Sequence, residues 1–281
     1  MNEDEIYKYL KELKNRINSK EEYEKYSKFL QDFKKKYVKD NNQSQAKRIW
    51  CLEQILNIQN DYLASYNDLK NHKFYEAWIK FDQIEIKLSN LKRHFEENNN
   101  EFYIQSISEY TKKFQSLYPY KIFLSTEEII SEKECSICGK KINLRNHCGH
   151  EVGEIYNGEL CCRKIKHIDA ILGISLVDSP ARKYAVAFPK TKNSLDSYKY
   201  NALKYLLKYL ESPFEKWGYK WTTKRHPHEF FPNLKPDDNC PCDSGKKYVD
   251  CCKSKEGILR PHCQFLFYKE KPKKIDFEYI Y

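Results

Sequence analysis

The chain has 281 residues, 40% of them apolar and 32% charged, with 23 Tyr and 15 Phe. That balance excludes a disordered chain and allows two or three domains. The net charge of +10 suits an anionic partner, and no apolar run approaches the roughly 20 residues that a membrane-spanning helix needs.

The first residues, MNEDEIYKYLKELK, are acidic where a signal peptide is basic and apolar, so a cytoplasmic protein is expected. The Lys/Asn/Ile/Tyr-rich composition suits an AT-rich bacterial genome. From residue 1 to 118 there is no Pro and no Gly, so nothing interrupts helical periodicity. Ile6, Leu10, Leu13 and Ile17 mark a first helix. Ser19 with Glu22 is a capping-box signal that opens a second, with the stripe Tyr23, Tyr26, Leu30, Phe33 and Tyr37. A third stripe runs through Ile49, Leu52, Leu56, Leu63 and Tyr66. The fourth, Phe74, Ala77, Phe81, Ile84, Leu88, Leu91 and Phe95, alternates steps of three and four as a heptad seam. A fifth helix is expected at about 101–117. Together they predict a helical bundle over 1–120 that serves recognition or self-association, with the fourth seam free to face the core or a partner chain.

Eleven cysteines in a reducing compartment read as metal ligands rather than disulfides. Cys51 lies on a helix stripe and reads as core. Five others (135, 138, 148, 161 and 162) fall within 28 residues, in ECSICGKKINLRNHCGHEVGEIYNGELCC. Cys135-x-x-Cys138 before Gly139 is a knuckle whose thiolates point the same way, and a closed Zn²⁺ site needs two more ligands. His147, Cys148, His150, Cys161 and Cys162 compete for those places. Cys148 with His150 is favoured, because i, i+2 spacing puts both on one side of an extended segment, and Cys161 is the main rival of Cys148.

A zinc-knuckle plus basic α+β unit is expected over 121–235. Residues 163–235 carry 15 Lys and Arg against 6 Asp and Glu, which is +9 of the +10. AILGISLVDSP and KYAVAFP read as strands, followed by a helix at about 194–211 with Tyr200, Leu203, Leu207 and Leu210 inward and Lys199, Lys204 and Lys208 outward. WGYKWTTKRHPHEFF interleaves aromatic and basic side chains. Lys220, Trp221, Lys224 and Arg225 are therefore candidate nucleic-acid contacts, set against an edge strand with one wet face. His226 and His228 are a weaker metal candidate, lacking acids or thiols nearby.

CPCDSGKKYVDCC, residues 240–252, packs Cys240, Cys242, Cys251 and Cys252 into thirteen positions. The pattern C-x-C, eight residues, then C-C resembles the SEC-C motif, the zinc tail of the SecA translocation motor, over about 237–254. Asn239, Pro241, Ser244, Gly245, Lys246, Lys247 and Tyr248 agree with the usual surroundings. Asp243 departs from the common Gly but tolerates a left-handed backbone, and Asp250 departs from a usual base. The resemblance implies a compact zinc unit that docks to proteins, ribosomes or nucleic acids. So short a segment needs the metal to fold, and four protein ligands leave no place for substrate. The order of parts also looks like that of bacterial SEC-C proteins of unassigned function. HCQFLFYKEKPKKIDFEYIY adds one or two closing strands, making 236–281 a SEC-C motif with its closing strands.

The fold expected is mainly α with a small α+β part, carrying two structural Zn²⁺. The function expected is a non-enzymatic adaptor docking to nucleic acid, ribosome or a protein partner, with homo-oligomerisation through the bundle open. The alternative is a nuclease or a component of a nuclease-containing defence system. Arg145-Asn146-His147 beside the knuckle faintly resembles treble-clef nucleases, yet the segment lacks the acidic and second-His partners of a catalytic metal. No Gly-rich phosphate loop, GxSxG or HExxH occurs.

Overall fold

The stripes of residues 3–118 fold into five α-helices in the computed structural model, which describes residues 2–16, 19–143, 145, 147–189, 198–268 and 273–277. They are α1 Glu3–Lys11, α2 Lys20–Lys39, α3 Gln43–Lys70, α4 Phe74–Leu91 and α5 Ile104–Gln115. Strands β1 Phe123–Cys135, β2 Ile155–Tyr156, β3 Glu159–Leu160 and β4 Arg163–Val177 follow, giving a mixed α+β chain. All of these lie in the first of two units, Met1–Tyr198; the second is Lys199–Tyr281. None of the described helices is long and apolar enough to cross a membrane.

In the first unit α3 is the hub, packing against α2, α4 and α5. Its stripe Ile49, Leu52, Leu56, Leu63 and Tyr66 is buried, and so is the α4 seam from Phe74 to Leu91. That seam therefore faces the chain's own core, where Phe81 stacks on Phe114 at 5.6 Å. The last seam residue, Phe95, falls beyond the end of α4 and packs on Phe102. α1 stops at Lys11, so Leu13 reaches the core from a short 3-10 turn, and Ile17 lies outside the described residues.

Local chemistry sets the helix ends. Ser19 Oγ accepts the Glu22 amide (3.3 Å) at the head of α2, and Asn42 Oδ1 accepts the Gln45 amide (3.2 Å) at the head of α3. α5 begins about three residues later than expected, at Ile104 after Tyr103 in the left-handed region. There the Glu97 carboxylate, from well upstream, accepts the amides of Phe102 (2.6 Å) and Gln105 (3.2 Å). The buried Gln59 amide donates to the carbonyls of Leu10 and Phe102, both at 2.9 Å, tying α3 to the last turn of α1 and to the segment before α5.

β1 and β4 form a two-stranded antiparallel ribbon anchored to the bundle at both ends. At one end Trp78 packs on Tyr120 and Phe123, and donates from Nε1 to the Lys183 carbonyl at 2.7 Å. KYAVAFP contributes only a bridge there, Val186 opposite Phe123. At the other end the β2–β3 turn docks on the helices. His94 bonds the Gly153 carbonyl (2.7 Å), Gln43 exchanges hydrogen bonds with Asn157, and Lys34 sits between Glu53 (2.7 Å) and Glu159 (2.9 Å). Gly158 has φ +67°, and a Cβ there would stand 2.6 Å from the Lys34 side chain and 3.3 Å from the Ala46 carbonyl oxygen. The turn is glycine for both reasons.

The second unit packs α6 Asn201–Leu207 on an antiparallel sheet of β5 Trp217–His226, β6 Ile258–Phe267 and β7 Lys273–Phe277, in the order β5-β6-β7. Tyr200, Leu203, Leu207 and Leu210 are buried as expected, while Lys199, Lys204 and Lys208 are exposed. The first part of the helix expected at 194–211 lies outside the described residues, as do 269–272 and 278–281 of the closing segment. β5 is an edge strand. One face of the sheet carries Phe265 and Phe267, which meet Tyr205 of α6 and Tyr209 just after it. The other turns Ile258 and Arg260 towards the cysteine knot of this unit.

Replacing Gly158 by Ala is expected to cost about 1–3 kcal/mol, while Gly173→Ala, in β4 with nothing within 4 Å of the new Cβ, is expected to be neutral. Urea unfolding of the two variants checks this, and equal midpoints would refute a tight dock at Gly158.

Candidate metal centres

The first centre is built at the knuckle end of the ribbon. Cys135 closes β1, and the chain reverses at once: Gly139, at φ +69°, donates to the Cys135 carbonyl at 3.0 Å, and the Cys135 amide donates to Lys140. The reversal aims the Ile137 amide at Cys135 Sγ, 3.4 Å away. Cys148 and His150 come from the next loop, separated by Gly149 at φ +83°. The sulfurs of Cys135, Cys138 and Cys148 and a His150 ring nitrogen all lie within 4.8 Å of one another. Cys135 Sγ is 3.7 Å from His150 Nδ1, close to the roughly 3.5–3.8 Å that a tetrahedral ion with metal–ligand bonds of 2.0–2.3 Å imposes. Tyr156 of β2 packs edge-on against the His150 ring at 4.6 Å and fixes its plane.

Cys161 is a fourth thiol at this centre, beside the three of the quartet. It is buried, and its sulfur lies 3.9 Å from Cys135 Sγ, while its amide and carbonyl are engaged by Glu154 and Gly153. It stands beside the quartet in addition to Cys148 rather than in its place. Cys162 is exposed, its amide held by Ser136 Oγ at 2.8 Å. His147 and Arg145 are exposed and outside the quartet, and Asn146 lies outside the described residues.

Electrostatics single out Cys135. Burial pushes its thiol up, but the amides of Cys138 and Ile137 and the neighbouring thiols of Cys148 and Cys138 outweigh it and hold the group at about 6. Burial and the Cys135 sulfur push Cys161 up to about 11. The protein environment thus favours one thiolate in the cluster near neutral pH, and further negative charge needs a cation.

The second centre occupies residues 240–252 in the second unit. Cys240, Cys242, Cys251 and Cys252 bring their sulfurs within 4.8 Å of one another, with Cys242 and Cys251 at 3.4 Å. A narrow turn makes this possible. The Cys240 amide donates to Lys246, Asn239 bridges Lys247, and Asp243 and Gly245 both take positive φ, at 59° and 73°. Asp243 accordingly adopts the left-handed backbone that its residue type tolerates, and its carboxylate pairs with Arg260 of β6 at 3.2 Å. Ser244 Oγ lies 3.2 Å from the sulfurs of Cys242 and of Cys251. For Cys242, burial raises the thiol, but the Ser244 hydroxyl and the thiols of Cys240 and Cys251 bring it down to about 6. Burial pushes Cys240 up to about 12. Around the sulfurs, Tyr248 and Ile258 with Phe231 and Leu234 make a small core, and Tyr248 Oη meets His228 Nδ1 at 2.6 Å.

The remaining candidates are not gathered in one place. On β5 the side chains alternate, so Lys220 and Lys224 share one face while Trp221 and Arg225 share the other. Arg225 donates from Nη1 to the Gly257 carbonyl at 2.9 Å. His226 is buried near His262 and His228 is turned to Tyr248, so these two histidines form no metal-type group among the described residues. Sequence reading missed Ser244, the Asp243–Arg260 pair and the Tyr156 support of His150. Ser244, within the SEC-C resemblance, was the one with a signal.

Comparison with protein-family models, with curated proteins and with solved structures gives no match. What the fold and the site define is a mixed α+β chain with two Cys/His groups that could each hold a metal ion.

The double substitution Cys240→Ser and Cys242→Ser is expected to unfold the knot, whose small core has the thiols as members, and to leave α1 to α5 helical in their own unit. Far-UV circular dichroism and limited proteolysis check this. Loss of most helical signal would show that the two units depend on each other.

Proposed function

We propose that this chain is a non-enzymatic zinc protein in which two closed Zn²⁺ sites hold docking surfaces in shape. The observation that carries the reading is the convergence of two quartets, three thiols with an imidazole and four thiols. Soft sulfur donors with a single imidazole select Zn²⁺ over Mg²⁺ or Ca²⁺, and neither quartet contains a carboxylate or keeps a position for water or substrate. In each, one thiol is already drawn down to about 6 by hydrogen bonds to the sulfur, so a metal would displace fewer protons on entry.

Cys135, Cys138, Cys148 and His150 would hold the first ion, and Cys240, Cys242, Cys251 and Cys252 the second. The first would brace the turn that docks on the bundle, the second the base of the three-stranded sheet. The docking role rests on the SEC-C resemblance of residues 237–254. The partner class we infer is a protein. The split of Lys220 and Lys224 from Trp221 and Arg225 onto opposite faces of β5 weakens a single stacking-and-phosphate groove for nucleic acid.

Elemental analysis of the gently purified protein is expected to return two zinc per chain, and zero or one would remove a centre. Acidification to well below pH 6 is expected to release the metal, because protons must then displace the ion from thiolates that it stabilises, read with a chromogenic chelator. A pull-down with and without nuclease tests the partner class. Complexes that survive digestion support a protein partner, whereas RNA or DNA binding that falls steeply with salt would replace it with nucleic acid.

A further inference from the structure

Cys161 belongs to neither quartet, yet it stands where a supporting partner of a metal ligand would. It follows β3 directly, it is 2% exposed, and its sulfur lies 3.9 Å from Cys135 Sγ. Backbone bonds on both sides set its place. The Cys161 amide donates to the Glu154 carbonyl and the Gly153 amide donates to the Cys161 carbonyl, both at 2.8 Å. Gly153 and Glu154 are in turn fastened to the residues just beyond α4, where His94 bonds the Gly153 carbonyl at 2.7 Å and Arg93 pairs with Glu154 at 3.4 Å.

We propose that Cys161 is a positioning residue of the first metal centre: its S–H donates to the Cys135 thiolate, and that bond couples the ion to the β2–β3 turn docked on the bundle. The inference rests on the zinc reading of this centre.

Geometry argues first. Cys135, Cys138, Cys148 and His150 already supply the four donors of a tetrahedral ion, and Cys161 falls outside that mutually close group while keeping its contact with Cys135. The proton count argues next. A thiol that ligates a metal does so as the thiolate, so the hydrogen between Cys135 and Cys161 comes from Cys161. A thiolate there instead would add a charge to a centre of three thiolates, a neutral imidazole and a divalent ion, which already carries a net −1. The second centre supplies a parallel. Ser244 is no ligand, yet its hydroxyl lies 3.2 Å from the sulfurs of Cys242 and of Cys251, and it becomes the donor once those thiols are thiolates. Each centre thus carries a non-ligand donor against a ligand sulfur, the arrangement by which outer-shell partners orient and tune metal ligands. A free thiol is also a common core residue, so the test has to separate donation from packing.

Zinc affinity of the full chain, measured by competition with a chelator of known strength, makes that separation. Cys161→Ala is expected to keep both ions at saturating zinc, to weaken one of them about 10–100-fold, and to leave the other unchanged. Cys161→Ser keeps a donor and is expected to recover most of the loss. If Cys161 only filled space, a buried hydroxyl would do no better than Ala; that result, or full affinity in Cys161→Ala, would overturn the proposal. With Co²⁺ in place of zinc, the intensity of sulfur-to-metal charge transfer counts the bound thiolates. Three are expected at the first centre in the unsubstituted chain and in both variants, and a fourth would make Cys161 a ligand instead. Hydrogen exchange on the unsubstituted protein is free of folding effects of the variants: withdrawing the metal is expected to speed exchange at the amides of Gly153 and Cys161, and unchanged exchange there would refute the coupling. An unsubstituted chain that binds fewer than two zinc ions would overturn the zinc reading and the inference with it, whereas a two-zinc chain indifferent to Cys161→Ala would overturn the inference alone.

Discussion

Three or four thiols brought within 4.8 Å of one another cannot all be negative unless a cation stands between them. That constraint governs both cysteine knots and the parts attached to them. The local backbone relieves it for one thiol in each, by amides aimed at Cys135 and by the Ser244 hydroxyl beside Cys242. It leaves Cys161 and Cys240 pushed to about 11 and 12. A Zn²⁺ would remove the remainder of the cost, and the two knots would then act as rigid corners. One turns β1 into the loop that carries His150. The other holds Tyr248 against Ile258 at the start of β6.

The two knots differ in how they are embedded. The first would carry three thiolates and a neutral imidazole on a divalent ion, a net charge of −1, and its loop leans on a bundle that is stable for its own reasons. Lys34 between Glu53 and Glu159, Gln43 on Asn157 and His94 on Gly153 would hold the β2–β3 turn whether or not the ion is present. The second would carry four thiolates, a net charge of −2, and has only a handful of apolar neighbours. Here the metal would contribute most of the folding free energy of the segment.

Much of this was legible because the physics is local. The α3 and α4 seams recur at steps of three and four, and Ser19 announces its helix through a bond to an amide three residues on. The quartets were legible for the same reason: two cysteines two or three residues apart across a tight turn can hardly avoid each other, and Cys148 and His150 are two residues apart, although a bend at Gly149 (φ +83°) rather than an extended segment brings them together. Contacts set by distant parts were not legible. Glu97 caps α5 across a loop, and Arg260 meets Asp243 from another strand. Lys220, Trp221, Lys224 and Arg225 form one basic-aromatic run in sequence, yet strand alternation divides them between two surfaces.

AILGISLV shows the limit most clearly. A run of aliphatic residues bounded by turns reads as a strand, and it is one, within β4. Composition specifies that such residues will be covered, but not by what. The aliphatic stripes of α3 and α4 are buried in a helical core, whereas thirteen of the fifteen residues of β4 are exposed. The opposite net charges of β1 and β4 meet within the ribbon itself, where Lys166 pairs with Glu134 at 3.4 Å.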